Sequence, residues 1–484
     1  MTAEQTKRFK YWQWRTIIGT MIGYAIFYFV RKNFSFAIPG LTAEYGISKT
    51  TFGVIMTLVG LIYGVSKFVN GVLADRTNGR WHMVTGLSVC SVINFIFGCG
   101  AIICAWITGQ TYGTTFIHTL VVLLGVLLIL NNMFQGCGFP PCNRLITHWV
   151  PPKELATKMS IWNASHSIGA FIIAILCGYL MGHTGTDMTG DPEMRQRVVE
   201  NTASITEKMD AASAEAYVTN ALQHVGAWQW TFWVPAAIAV LGVIFIIVTL
   251  RDTPKSVGLP ELEGTKTQLD EHDSSEEFKA FLRKKVFLNP MIWGLAVADF
   301  FVYIVRFAVL DWGPTFLQES RGLSSSMAGW TVAIFEVCGI TGMLLAGWIS
   351  DKFFGGRAQR TCVFCMAGSA LFVFLFWQLP ADAPIWLLFT TLCAAGFCIY
   401  GPQALIGIAA ANQATKKAAA TANGLTGLFG YASTLVSGVG LGFVAQHYGW
   451  NWAYVGILGM AVVGMLVFLL MWGAKADGYE PEAE

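Results

Sequence analysis

Two arginines lie in the interiors of long apolar stretches. Arg31 follows Tyr-Ala-Ile-Phe-Tyr-Phe-Val, and Arg306 follows Phe-Phe-Val-Tyr-Ile-Val, 275 positions later. A guanidinium keeps its proton in proteins, so each arginine in hydrocarbon must face a polar cavity or a partner. The two halves of the chain repeat each other, and two such arginines at corresponding places predict one shared anion site.

Other polar side chains accompany these arginines. Tyr24 and Tyr28 precede Arg31 at helical spacings, which place the three residues on one face of a helix. Tyr303 lies one turn before Arg306. The remaining candidates in apolar segments are Lys67, Asn163, His166 and Glu336.

This set of side chains suits a phosphate monoester, which carries a charge of about −1.5 to −2 and three acceptor oxygens. An arginine grips a pair of oxygens in a planar fork, whereas Lys67 supplies a point charge. We therefore predict a binding site for a doubly charged phosphate group.

Each candidate has a simpler alternative. Arg31 either faces the site or extends to the membrane interface. Lys67, which lies about two turns before Asp75, likewise either faces the site or extends to the interface. Arg306 either faces the site or pairs structurally with Asp311. These alternatives involve no anion.

The same holds for the other polar groups. His166 either contributes to the site or bonds a neighbouring carbonyl, and the tyrosines either line the site or pack. Glu336 either balances a cationic residue when the site is empty or is a structural hydrogen-bonding acid.

Composition fixes the class of protein. Hydrophobic residues make up 54% of 484 residues and charged ones 12%, and the mean hydropathy is +0.54. These values indicate a polytopic membrane protein in a lipid bilayer, and a net charge of +2 is too small to imply nucleic-acid binding, so we expect no nucleic-acid partner. The eleven cysteines are interpreted as packing residues, because Cys362-x-x-Cys365 has no second pair beside it. We predict no cofactor, no metal and no enzymatic activity.

The elements that must position these residues are membrane helices of about 20 residues. Twelve spans are predicted, which is typical of an all-α membrane protein of two six-helix bundles; they cover 14–38, 50–74, 82–106, 116–140, 157–182, 228–250, 289–311, 326–350, 361–379, 384–410, 420–446 and 451–473.

The predicted domains are an N-terminal bundle (1–250), a cytoplasmic linker (251–288) and a C-terminal bundle (289–484). A polar segment, 183–227, forms an extracytoplasmic insertion with one or two surface helices. The distribution of lysine and arginine predicts that both termini are cytoplasmic.

A loop motif appears once in each half. Gly71-Val-Leu-Ala-Asp75-Arg76-Thr-Asn-Gly79-Arg80 follows the second span, and Gly347-Trp-Ile-Ser-Asp351-Lys352-Phe-Phe-Gly355-Gly356-Arg357 follows the eighth. The pattern resembles the cytoplasmic loop motif of the major facilitator superfamily. Its charges either gate the cytoplasmic side through charge-assisted hydrogen bonds or only mark a membrane boundary. The residues of this predicted gate are Asp75, Arg76, Arg80, Asp351, Lys352 and Arg357.

Longer runs give a more specific resemblance. Tyr-Phe-Val-Arg-Lys-Asn-Phe (28–34), Tyr-Gly-Val-Ser-Lys-Phe (63–68), Phe-Gln-Gly-Cys-Gly-Phe-Pro-Pro-Cys (134–142) and Leu-Asp-Trp-Gly-Pro-Thr (310–315) resemble the organophosphate:inorganic phosphate antiporters. The resemblance implies the major facilitator fold, and it implies that Arg31 and Arg306 grip phosphate. It further implies accessory roles for Lys67, His166, Tyr28, Tyr303 and Asn163.

The expected function is exchange of an organophosphate for inorganic phosphate by alternating access, as a monomer in the inner membrane of a bacterium. Asn423 and Thr426 stand where hexose-phosphate exchangers carry an acidic residue and a lysine, which favours glycerol 3-phosphate over a hexose 6-phosphate. One alternative is a membrane sensor of hexose phosphates that acts with a signalling kinase. Another is a drug or sugar carrier that is indifferent to both arginines.

Overall fold

The structure is a computed structural model that describes residues 2–150, 152–207, 209–260, 280–380, 383–476 and 478. Side chains at 68, 71–72, 75–76, 147, 152–157, 159–160 and 415–420 lie outside this description. The described residues are helical apart from turns and one isolated bridge between Thr186 and Val225.

The α-helices of the described residues are α1 (Ala3–Phe29), α2 (Phe34–Tyr45), α3 (Lys49–Arg76), α4 (Gly79–Gly98), α5 (Gly100–Thr108), α6 (Thr114–Gln135), α7 (Phe139–Trp149), α8 (Pro152–His183), α9 (Pro192–Thr206), α10 (Ala211–Gln223), α11 (Ala227–Thr249), α12 (Pro290–Arg321), α13 (Ser325–Phe354), α14 (Ala358–Gln378), α15 (Ile385–Ala432), α16 (Leu441–His447) and α17 (Trp450–Leu470). Segments Arg283–Phe287 and Leu435–Gly440 are π-helical.

Within the described chain, eleven helical segments are long and apolar enough to cross a membrane. The first predicted span, 14–38, is divided instead between α1 and α2, which flank a break at residues 30–33. With residues 14–38, divided between these two helices, as the remaining span, the predicted twelve-helix fold is confirmed. The break was not predicted from the sequence, because its cause is a set of contacts from distant helices.

A second difference concerns the predicted spans 384–410 and 420–446. The structure has a single helix, α15, that continues through the expected connection. Residues 411–420 contain neither glycine nor proline and are rich in alanine and lysine, which are good helix formers, so nothing in them ends the helix.

The chain divides into two compact units. Unit 1 contains Met1–Thr265 and Asp311–Ala333, and unit 2 contains Lys266–Leu310 and Ile334–Glu484. Helices α12 and α13 therefore each supply residues to both units. The division at 250 and 288 stays a prediction, and residues 261–279 of the predicted linker lie outside the described residues.

The polar segment 183–227 has a small core of its own in unit 1. It contains two helices, α9 and α10, which pack against α2 through buried side chains. The core residues are Ala43, Met194, Val198, Val218 and Leu222. The insertion is thus a folded structure docked on the end of α2.

A buried carboxylate fixes the junction between the insertion and α11. Glu44, in the last turn of α2 and outside the predicted span 14–38, accepts hydrogen bonds from Gly226 N (2.7 Å) and Trp228 Nε1 (3.2 Å). Gly226 adopts a left-handed conformation with φ of 79° and precedes α11. Burial raises the pKa of Glu44 to about 7, and the two hydrogen bonds oppose that shift.

This raised pKa predicts a dependence of stability on pH. Between pH 4.5 and 7, folded Glu44 holds a proton that the unfolded chain has lost, so the free energy of unfolding falls as pH rises through this window. The shift corresponds to about 3 kcal/mol. Glu44→Gln should reduce the loss of thermal stability between about pH 5 and about pH 8 in detergent.

Glu215→Gln is the matched control, since Glu215 is an exposed carboxylate of the same insertion that pairs with Arg195. This variant should keep the wild-type dependence on pH. An unchanged slope in Glu44→Gln would show that Glu44 does not titrate in this range.

Candidate functional site

Arg31 lies in the break between α1 and α2. Val30 caps the end of α1, and the backbone N–H groups of Arg31 and Lys32 both donate to the carbonyl of Tyr28, at 3.2 and 3.0 Å. Helix α2 then begins at Phe34. Discontinuous membrane helices are typical of transporter binding sites, because a break exposes backbone groups and re-aims side chains.

Three buried amide side chains meet at this break. The Val30 carbonyl accepts from Asn131 Nδ2 (2.8 Å), Asn94 Nδ2 (3.2 Å) and Gln135 Nε2 (3.3 Å). The last carbonyls of a helix have no donor within the helix, so these amides replace the missing bonds. Asn33 joins the same network by donating to Asn94 Oδ1 at 2.9 Å. None of these residues was selected from the sequence.

Aromatic rings hold the side chain of Arg31. Its Cζ atom lies 3.6 Å from the ring centroid of Tyr63 and 5.5 Å from that of Tyr28. A desolvated cation over a ring gains about 2 kcal/mol. Tyr63 was missed, although its spacing of four from Lys67 places both residues on one face of α3.

The other candidates of unit 1 form a continuous aromatic cluster with these residues. Tyr28 lies 6.0 Å from the ring of His166, and Tyr24 stacks on Trp162 at 5.1 Å between centroids. Phe139 contacts both Tyr24 and Trp162, and Lys67 Nζ lies 4.7 Å above its ring. The structure therefore places Arg31, Tyr28, Tyr24, His166 and Lys67 in one region of unit 1.

His166 has an additional contact that agrees with its simpler alternative. Its Nδ1 atom hydrogen-bonds the backbone carbonyl of Asn163. Because a carbonyl only accepts, Nδ1 carries the proton and Nε2 is the second functional atom of the ring.

Unit 2 holds Arg306 among polar partners. Arg306 Nη2 donates to the Tyr400 hydroxyl at 3.1 Å and lies 3.8 Å from Glu336 Oε1. The rings of Tyr400 and Tyr303 lie 4.8 and 5.9 Å from its Cζ atom. Arg306 is 5% exposed and Glu336 is fully buried, so Glu336 is a counterion of Arg306. Tyr400, a tyrosine within an apolar span, was not selected from the sequence.

Asp311 has a different partner from the one considered in the sequence analysis. Its Oδ1 atom lies 2.6 Å from Lys32 Nζ, and both residues belong to unit 1. A second buried ion pair of unit 1 joins Lys49 and Glu319 at 3.0 Å. The alternative in which Asp311 is the structural partner of Arg306 is therefore replaced by a pair with Lys32.

A further buried carboxylate lies in α12. Asp299 is 4% exposed, and it precedes Tyr303 and Arg306 by one and two helical turns. Its Oδ2 atom occupies the space beside Gly430, where a Cβ atom would approach to 2.8 Å. Its position inside an apolar run is the signal that could have identified it.

The predicted gating residues lie at several helix ends. The side chains of Asp75 and Arg76 are outside the described residues. Arg80 Nη1 donates to the carbonyl of Leu250 at 3.5 Å. In the other half, Asp351 and Lys352 are exposed, and Arg357 is half-buried before α14. The proposed gate stays a prediction.

Asp252 links neighbouring segments of unit 1 near Arg80, one of the predicted gating residues. It accepts from Gly79 N at 2.6 Å and lies 3.5 Å from Arg144 Nη2. Arg144 also donates to the carbonyl of Ala74 at 2.6 Å. This carboxylate ties the loop before α4 to neighbouring segments and was not selected from the sequence.

The chain is similar to known proteins over nearly its whole length. The family model for the Major Facilitator Superfamily matches residues 20–353 and 300–483. The chain is 34% identical to the glycerol-3-phosphate transporter of Bacillus subtilis (strain 168), over 96% of this chain and 93% of that protein. It is 33% identical to a probable hexose phosphate transport protein of Chlamydia trachomatis serovar D, over 97% of this chain and 93% of that protein.

A third relative is the membrane sensor protein UhpC of Escherichia coli (strain K12), which is 32% identical over 96% of this chain and 92% of that protein. Among solved structures, an inward-facing, unoccupied bacterial homologue of the human lysosomal transporter Spinster superposes with a TM-score of 0.71. It shares 16% identity over 97% of this chain and 99% of the other, so the similarity concerns the fold.

The environment of Arg306 predicts an effect of removing its counterion. Breaking one side of a buried ion pair costs about 3 kcal/mol, because the remaining charge stays buried. Glu336→Gln should therefore lower the thermal midpoint of the purified protein. Glu200→Gln, at an exposed carboxylate, is the control. A midpoint that is unaffected in Glu336→Gln would contradict the assignment of Glu336 as counterion.

Proposed function

The chain belongs to the major facilitator superfamily, and we propose that it exchanges an organophosphate for inorganic phosphate by alternating access across a bacterial inner membrane. In this proposal both termini are cytoplasmic, the insertion is extracytoplasmic, and the protein acts as a monomer.

One observation carries the proposal. Each compact unit contains an arginine within an apolar stretch that lies over a tyrosine ring: Arg31 over Tyr63, and Arg306 over Tyr400. Intramembrane ionisable residues are costly and usually mark a substrate pathway. Two arginines in repeated positions support recognition of an anion with more than one negative charge.

Phosphate suits these residues better than a carboxylate does. A guanidinium binds two oxygens of a phosphate in parallel, which gives both energy and orientation. Lys67 adds a compact charge, and the His166 ring, with its proton on Nδ1, adds a second polar group to the same region of unit 1. The proposal assigns phosphate binding to Arg31 and Arg306 and accessory roles to Lys67, His166, Tyr28 and Tyr303.

The same charges explain why exchange is favoured over one-way transport. Buried cations are destabilised when no anion offsets their charge. In this proposal the carboxylate of Glu336 offsets part of the charge of Arg306, and a bound phosphate or organophosphate further lowers the cost of burying the two arginines. Return of the carrier therefore requires a bound anion.

Glycerol 3-phosphate is the favoured organic substrate. The support is the relative of that name at 34% identity, together with Asn423 and Thr426 in place of the charged pair expected for hexose phosphates. Both residues have uncharged side chains and belong to α15, where Thr426 Oγ1 donates to the carbonyl of Asn423 at 3.2 Å. A hexose 6-phosphate is the second choice, because another relative is named for hexose phosphate transport.

A sensor is the second candidate function, and the similarity to a membrane sensor protein favours it. A sensor of hexose phosphates would bind its ligand with little flux and would require a signalling kinase. Flux through the purified protein separates the two functions.

Counterflow tests the proposal. Proteoliposomes loaded with phosphate should take up labelled glycerol 3-phosphate, with glucose 6-phosphate and phosphoglycerate as competing substrates. Uptake should disappear when the vesicles contain no phosphate, since the unloaded carrier does not return. Equal uptake into empty vesicles would exclude obligatory exchange, and saturable binding without flux would favour the sensor.

Substitution of the arginines gives a second test. Arg31→Ala and Arg306→Ala should each reduce exchange by about a hundredfold, because losing one partner of a buried charged contact costs about 2–5 kcal/mol. Arg31→Lys should recover only part of the activity, since lysine keeps the charge but lacks the planar fork. Arg195→Ala, at an exposed arginine of α9, should exchange normally. Normal exchange in both alanine variants would rule out the assigned site.

A further inference from the structure

We propose that Asn131, assisted by Asn94 and Gln135, is a positioning residue that fixes the backbone from which Arg31 extends and thereby sets the affinity for phosphate. This inference rests on the proposed function, because it concerns the arginine to which phosphate binding is assigned.

The peptide unit between Val30 and Arg31 is held at both of its polar groups. Its carbonyl accepts from Asn131 Nδ2 at 2.8 Å, and its N–H, which belongs to Arg31, donates to the carbonyl of Tyr28 at 3.2 Å. A peptide is planar, so fixing both groups fixes the plane and the position of the Arg31 Cα atom. The direction in which the guanidinium leaves the backbone follows from that position.

The Val30 carbonyl has more hydrogen-bond donors than it needs to be satisfied. A carbonyl has two lone pairs, and one hydrogen bond is enough to avoid the cost of burying it unsatisfied. Three amides approach the Val30 carbonyl, from α4 (Asn94) and from α6 (Asn131 and Gln135). Bonds from two different helices define the position of the carbonyl relative to both, which a single cap could not do.

The amides also restrain one another. Asn94 Nδ2 lies 3.0 Å from Asn131 Oδ1 and 2.9 Å from the carbonyl of Cys90, so its two hydrogens are shared among three acceptors. Asn33, on the other side of the break, donates to Asn94 Oδ1 and to the carbonyl of Thr231, both at 2.9 Å. Both ends of the break are thus connected to one buried network.

Side-chain geometry shows why such precision matters for Arg31. Its Cζ atom lies 3.6 Å from the centroid of the Tyr63 ring, which is close contact. A displacement of the backbone by an ångström would move the guanidinium off this ring and away from the position from which it meets an anion. Binding groups must be held within about 0.5 Å by their supporting residues.

Asn132 provides a matched control for a purely structural role. It is the next residue of α6 and is equally buried (3% exposed, as is Asn131), and its Nδ2 atom donates to the carbonyl of Leu128 in its own helix at 3.0 Å. Asn131→Leu and Asn132→Leu make the same chemical change at adjacent buried sites. Only the first removes a bond to Val30.

The first readout is phosphate exchange by the full-length protein in proteoliposomes, separated into KM and maximal rate. Asn131→Leu should raise the KM for phosphate by about tenfold, as expected for loss of one buried hydrogen bond. Asn132→Leu should lower thermal stability to a similar extent with the wild-type KM. Equal KM values in the two variants would overturn the proposal.

The second readout does not depend on transport. The rate at which phenylglyoxal modifies Arg31, followed by mass spectrometry, should rise in Asn131→Leu and stay at the wild-type value in Asn132→Leu. If wild-type protein shows no exchange, the proposed function fails, and this rate still decides the positioning role. If Asn131→Leu does not fold, Gln135→Leu replaces it. This variant loses the longest of the three bonds, and it should show a smaller change in the same direction; no change would refute the proposal.

Discussion

The charge of a guanidinium inside a membrane helix is the constraint on which the rest of the structure depends. Arginine cannot become neutral, so its surroundings must compensate the charge. The two arginines are compensated differently. Arg31 lies over the π face of Tyr63, which attracts a cation without cancelling its charge, whereas Arg306 has a hydroxyl and the carboxylate of Glu336 beside it.

The break in the first span lies at the position of one of these charges, Arg31. An unbroken helix would satisfy its carbonyls internally and would direct side chains at regular angles. Ending α1 at Val30 creates a carbonyl that needs external donors, and amides from α4 and α6 supply them. The polar residues of these apolar helices are therefore connected, through one backbone group, to the residue that carries the charge. Packing of tyrosine and tryptophan rings around α1 completes this region of unit 1.

The sequence alone predicted the features that depend on residues close together along the chain. Long apolar runs predicted the spans, and charged residues within them identified Arg31, Arg306, Lys67 and Glu336. The break at residues 30–33 and the partner Tyr400 depend on tertiary contacts, which no spacing along the chain encodes, whereas the spacing of Tyr63 from Lys67 was a signal that could have identified Tyr63. Asn94 and Asn131 differ from these cases. They are amides within apolar spans, as Asn163 is, and the criterion that selected Asn163 would have selected them too.

Two cationic residues, Arg31 and Lys32, are adjacent in the chain, and the contact of Lys32 with Asp311 indicates the role of Lys32. Both lie in the same break, and both could attract an anion by charge alone. Lys32 Nζ is 2.6 Å from Asp311, so its charge is offset by a carboxylate at hydrogen-bonding distance. An anion approaching Lys32 would have to displace that carboxylate. Lys32 is therefore best understood as a residue that ties the first helix to the segment 311–333 of the same unit.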